Sequence, residues 1–176
     1  YPKFSGLESD AVLVSPHLKI SASYEWERDI RLFNAFHGLN NQIHVFVILF
    51  NATSGLQAAL SQREYWRGGN KNEFTICLGL DDAQNVKWCK AFSWCDLPQM
   101  ETALESWYLE HTHLDFKELT NWLEANVSTL WKRKEFKDFK YLGKKLTPWK
   151  SALVWFLTLA ACALFIYIAY YLTTTQ

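Results

Sequence analysis

Charge is absent from one long stretch of this chain. From Ser151 to Leu172, 22 residues (SALVWFLTLAACALFIYIAYYL) pass without an Asp, Glu, Lys or Arg. The absence excludes an amphipathic surface helix, and a core helix of a soluble domain would keep a polar stripe over six turns. A bilayer's hydrocarbon core is about 30 Å thick, so about 20 apolar residues at about 1.5 Å each cross it as a helix. The sequence therefore predicts one transmembrane helix over 151–172, followed by a short tail, 173–176.

Catalytic signatures are missing too. There is no Gly-x-Ser-x-Gly, no P-loop and no Gly-x-Gly-x-x-Gly, and Gly68-Gly69 alone reads as a helix terminator rather than a phosphate cradle. Four cysteines are present, one of them (Cys162) inside the apolar run. Cys77, Cys89 and Cys95 lack the close spacing of a zinc knuckle or a redox pair, so the sequence predicts reduced thiols. No internal repeat or low-complexity linker interrupts the rest, which predicts one α/β unit over residues 1–131.

What is present is patterned. Residues 132–150 hold eight basic residues (Lys132, Arg133, Lys134, Lys137, Lys140, Lys144, Lys145 and Lys150) and two acidic ones, against ten basic and sixteen acidic in residues 1–131. The acidic body argues against nucleic acid as a partner. The basic stalk is attracted to anionic lipid by about 1 kcal/mol per residue near the surface, and it biases its side of the membrane to be cytoplasmic, matrix or stromal. Two acceptor patterns for glycosylation, Asn51-Ala52-Thr53 and Asn126-Val127-Ser128, point to the exported side instead, and the chain opens on Tyr1, which reads as a front end processed or left out. Trp149 and Trp155 at one end of the apolar run, with Tyr167, Tyr170 and Tyr171 at the other, suit the two membrane interfaces. Ala160, Ala161 and Ala163 form a small-residue patch that could meet another transmembrane helix.

In the body, residues 11–15 read as a strand and 22–37 as a helix capped by Ser21 or Ser23 and closed at Gly38. Ile43 to Phe50 reads as a buried strand. Ser54 caps a second helix with Leu56, Ala59, Leu60 and Trp66 towards the sheet. Glu73–Leu80 and Val86–Trp94 form a hairpin, and the strand before it joins by a parallel, right-handed crossover. Pairing Leu80 with Val86 sets Leu78 against Trp88, and Cys77 opposite Cys89 on the face away from Leu78, where compartment and local geometry decide whether the two thiols bond. Asp96 with Gln99, and Asp115 with Glu118, read as capping boxes of two closing helices, the second continuing towards Gly143. The whole predicts a three-layer α/β/α domain with a mixed sheet of about four strands.

Few residues suggest chemistry. Asp81 and Asp82 put two carboxylates in one turn and are candidates for a divalent cation shared with Asn70, Asn72 or Asn85; the plainer role is hairpin hydrogen bonding. Glu110, His111 and His113 could start a metal site or be solvated loop residues. His44 reads as a core histidine.

The element order, with Tyr65-Trp66-Arg67-Gly68-Gly69-Asn70-Lys71-Asn72 before a hydrophobic strand, resembles the TPM domain over about residues 10–131. That family includes thylakoid-lumen proteins of photosystem repair, membrane-anchored receptor accessory proteins and bacterial envelope proteins. The resemblance implies an α/β fold and an anchored accessory role. It carries over no catalytic residue, because Ala91-Phe92-Ser93-Trp94-Cys95 stands where the family has a Gly-rich stretch and the family's calcium or phosphatase acids have no one-to-one match. Three functions are thus expected: a non-enzymatic accessory or assembly subunit of a larger complex of integral membrane proteins; a TPM-type metal-assisted phosphate-ester hydrolase at a cleft lined by Asn51, Asp81 and Asp82; or a tether to anionic lipid.

Overall fold

The apolar, β-branched runs pair into one four-stranded sheet in the order β1-β2-β3-β4. The computed structural model describes residues 10–69, 72–95, 97–135, 137 and 148–174. It divides into two compact units, 1–134 and 135–176. In the first, β1 (Val12–Val14), α1 (Tyr24–Asn41), β2 (His44–Asn51), a 3-10 turn (Ala52–Ser54), α2 (Gly55–Tyr65), β3 (Glu73–Leu80), β4 (Val86–Ser93), α3 (Pro98–Glu110) and α4 (Phe116–Leu130) follow in order. The second holds α5 (Pro148–Thr174). β1, β2 and β3 are parallel and β4 is antiparallel, giving the mixed sheet the sequence predicts.

Alternation along each strand feeds two cores. Val45, Val47, Leu49, Phe74, Ile76 and Leu78 pack with α1, α3 and α4 in the larger one. Ile48, Phe50, Cys77 and Phe92 pack with Ala58 and Ala59 of α2 in the smaller one. Both parallel crossovers step the same way across the sheet, yet α1 and α2 lie on opposite faces. Two such connections have opposite hands, so one of them departs from the right-handed sense of most βαβ units. The α2 face differs from the sequence expectation. Ala58, Ala59 and Gln62 are buried, while Leu56 and Leu60 are 48% and 41% exposed, because the large rings of Phe50 and Phe92 leave room only for alanine beside them.

Helical side chains also close the sheet's edges. Glu27 accepts the Ala11 and Val12 N–H groups through its two carboxylate oxygens, each at 2.8 Å. Beyond β1, Asn34 takes the place of a neighbouring strand on β2: its Oδ1 accepts from Val45 N–H at 2.7 Å and its Nδ2 donates to Val45 C=O at 2.9 Å. On the other edge, Glu105 and Glu101 accept from Ala91 and Ser93 N–H, each at 3.2 Å. Stranding the buried Val45 groups costs about 1–3 kcal/mol. Asn34→Leu should therefore lower unfolding free energy by about that amount in denaturant melts of the full chain; an unchanged midpoint would refute this role for Asn34.

Three expectations are corrected here. α1 does not close at Gly38 but runs on to a left-handed cap at Gln42 (φ 52°, ψ 48°). Gly38 serves a close approach instead, since a Cβ there would lie 3.2 Å from the Ile43 carbonyl oxygen. α4 does not continue towards Gly143: it stops at Leu130, and Trp131 turns extended (ψ 124°), buries its ring edge-on to Phe74 and donates its indole N–H to Asn41 C=O at 2.9 Å. Burying an indole outweighs another turn of a charged, exposed helix. Finally, the hairpin pairs Leu80 with Val86 as expected, but a bulge at Lys87 shifts the rest, so that Gly79 faces Trp88 and Leu78 faces Cys89. Cys77 and Cys89 therefore lie on opposite faces, and both are free thiols. The Asp96 cap and residues 138–147 lie outside the described residues; α3 starts with Pro98 in its first turn, as a proline without an N–H allows.

Candidate functional site

The C-terminal ends of parallel strands are where an open α/β sheet usually binds ligands. Here Asn51 ends β2 beside Leu80 of β3, and Asp81 follows at once. The structure thus brings Asn51 and Asp81 to one edge, with Asp82 exposed in the same turn. Their polar groups are used locally. Asn51 Oδ1 accepts from Thr53 N–H at 2.9 Å and from Thr53 Oγ1 at 2.6 Å, which caps the 3-10 turn. Asp81 Oδ1 accepts from Ala83 N–H at 3.0 Å and Asn85 N–H at 2.8 Å, while its Oδ2 accepts from Asn85 Nδ2 at 3.2 Å and Lys87 Nζ at 3.0 Å. This carboxylate folds the β3–β4 turn. Its acceptor positions are engaged by the protein itself.

The same bonds set its titration. The Asn85 N–H first, then Lys87, stabilise the ionised form and pull the Asp81 carboxyl down to about 2. A carboxyl lowered in the fold contributes stability that is complete above its ordinary value near 4 and is lost as pH falls towards 2. A titration of the Asp81 carboxyl carbon by NMR should give a midpoint near 2, and Asp81→Asn should narrow the stability difference between neutral and acid pH. An ordinary midpoint would contradict the turn assignment.

Of the other candidates, Asn85 and His113 come to that edge, Asn85 by its bonds to Asp81 and His113 through its backbone. Asn72 precedes β3 and lies at the sheet's far end, about 26 Å away for eight strand residues; Asn70 lies outside the described residues. His111 is turned back on α3, its ring 4.3 Å from Trp107 and its Nδ1 3.0 Å from the Trp107 carbonyl oxygen. His113 joins Asn85 in a backbone bridge. Among the described residues, no three His, Cys, Asp or Glu side chains form a metal-holding group. His44 is exposed at the start of β2 rather than in the core, its ring edge-on to Phe46 at 4.5 Å. Asn126 sits inside α4 with its Nδ2 donating to Trp122 C=O at 2.8 Å, so of the two glycosylation patterns only Asn51-Ala52-Thr53 lies at a turn.

The remaining candidate is α5. It starts at Pro148 and ends at Thr174, three residues before and two after the uncharged run. Its window Pro148–Ile168 has mean hydropathy 2.2, and none of it is buried inside the structure. The Thr158 hydroxyl donates to Val154 C=O at 2.9 Å, which satisfies it within the helix as a hydrocarbon surrounding requires. Trp149 is 63% exposed with Lys150 over its ring, and Tyr167 stacks on Tyr171 at the other end. Ala160, Ala161 and Ala163 are exposed. Of the stalk residues, Lys132 and Lys150 are exposed and Lys137 pairs with Glu135 at 2.8 Å, with Arg133 and Lys134 half-buried; Lys140, Lys144 and Lys145 lie outside the described residues.

Sequence reasoning missed the surface beside β4. Leu56, Leu60, Trp94 and Leu109 are exposed there, Leu109 by 81%. Helical periodicity turns the two α2 leucines inward, and no local signal marks them as outward. No family model matches the chain, and neither a curated protein nor a solved structure matches it. The fold and α5 together define an α/β head with a mixed four-stranded sheet and one C-terminal apolar helix that fits a membrane anchor.

Proposed function

We propose that the chain is a single-pass, C-terminally anchored accessory or assembly subunit of a larger membrane protein complex, working by binding rather than by catalysis. The observation that carries this reading is α5, a 27-residue helix in which the side chains of residues 152–168 are all exposed and, save Thr158, apolar. Apolar surface on that scale is covered by lipid or by other transmembrane helices. The head adds exposed leucine and tryptophan side chains beside β4, of the kind protein interfaces bury. Its carboxylates Glu27, Asp81, Glu101 and Glu105 serve its own backbone. The resemblance to TPM-domain accessory proteins agrees with this role.

The basic stalk complements the anchor. Its eight positive side chains favour the cytoplasmic, matrix or stromal side and hold the adjoining chain near anionic headgroups. The test is the mass of the tagged full chain extracted from native membranes in mild detergent. A particle heavier than the 20.6 kDa chain plus its micelle, with integral membrane proteins in fixed ratio, is expected. A monodisperse monomer would overturn the reading.

A further inference from the structure

β4 is the last strand of the sheet, and its outer edge is covered at both ends. At its start the segment between α3 and α4 lies against it, with Val86 N–H donating to Thr112 C=O at 2.6 Å and Leu114 N–H to Gln84 C=O at 3.3 Å. At its end Glu105 and Glu101 take the N–H groups of Ala91 and Ser93. Between these covers, residues 87–90 are exposed or half-buried, whereas 91–93 are buried. In an antiparallel pair alternate residues turn both N–H and C=O away from the neighbouring strand. Ala91 and Ser93 do so; two residues back, so does Cys89, which stands opposite Leu78.

A groove of about 360 Å³ opens at that point, lined among others by Trp88, Cys89, Ser106 and Tyr108. Leu56 of α2 and Leu109 of α3 stand on its walls, 48% and 81% exposed. Tyr108 is 4% exposed, and its hydroxyl is buried without a hydrogen-bond partner.

We propose that this groove seats an extended segment of a partner protein, which adds beside β4 by exchanging two main-chain hydrogen bonds with Cys89 and sets an apolar side chain between Leu56 and Leu109. The inference rests on the accessory-subunit reading and names where the head would dock. The occupant follows from complementary partial charges. A donor and an acceptor side by side on one residue are matched by a residue of an extended chain, whereas a helix has spent its own groups and a lipid tail has none. The covers on either side limit the added strand to about four residues, or about 13 Å.

The test uses the full chain in native membranes, with the photocrosslinking residue p-benzoylphenylalanine in place of Leu109. It also compares amide hydrogen exchange of the wild-type chain in its extracted complex and alone in detergent. The expected result is a crosslink to an extended segment of a co-purifying subunit, reduced about tenfold by Leu56→Glu, and a Cys89 amide exchanging about tenfold more slowly in the complex while Ala91 and Ser93 stay unchanged. A stable complex with no crosslink and unchanged Cys89 exchange overturns the docking inference but leaves the accessory reading standing. A crosslink only to lipid or to a second copy of this chain also overturns it. A chain found only as a monomer overturns both.

Discussion

Gly79→Ala lowers the stability of the chain by about 2–3 kcal/mol, at the upper end of what overpacking costs. A Cβ at Gly79 would lie 2.0 Å from Trp88 Cε2 and 2.1 Å from its Nε1. The indole cannot step aside freely, because its N–H donates to Ala52 C=O at 3.1 Å and its ring stacks on Phe50. The added methyl must therefore push on the 3-10 turn and on the smaller core together. Denaturant melts of the full chain in detergent measure the loss. Trp88→Ala removes the obstacle, so the same glycine substitution made in that background should cost at least about 1 kcal/mol less. Equal cost in both backgrounds would show that the ring over Gly79 is not the constraint.

The second large effect concerns α5. Leu157→Arg with Ala161→Arg places two guanidinium groups one turn apart near the middle of the apolar run, each costing about 2.5–3.5 kcal/mol on insertion scales. That sum exceeds the gain from several leucines, at about 0.3–0.6 kcal/mol each. The double variant should leave the membrane fraction largely or wholly, while Leu157→Ala with Ala161→Leu should stay. Retention of the arginine variant would mean that the helix is not held by the hydrocarbon core.

Much of this architecture is legible in residue order. Strand identity came from short β-branched runs, and α4 came from Phe116, Leu119, Leu123 and Val127 recurring on one face below the Asp115 cap. The apolar helix announced itself by lacking charge. What local pattern could not reveal depends on contacts distant in sequence. The bulge at Lys87 follows from Trp88 lying over Gly79 and Lys87 reaching Asp81, and it alone moves Cys89 to the opposite face from Cys77. The end of α4 follows from a carbonyl at Asn41, ninety residues away, that Trp131 reaches. The outward leucines of α2 follow from the rings already filling the smaller core.

The candidate chemistry was less legible. An Asp-Asp pair in sequence looks the same whether it waits for a cation or folds a turn, and the turn role of Asp81 shows only in its four hydrogen bonds. The edge carboxylates Glu27, Glu101 and Glu105 read as ordinary solvated helix residues until strand N–H groups are found against them.

Anchoring of the head requires that α5 lie in lipid. Membranes carrying the full chain, stripped with alkaline carbonate and sedimented, test this directly. The chain should remain in the pellet with the bilayer. Its appearance intact in the supernatant would contradict the anchor and every proposal built on it.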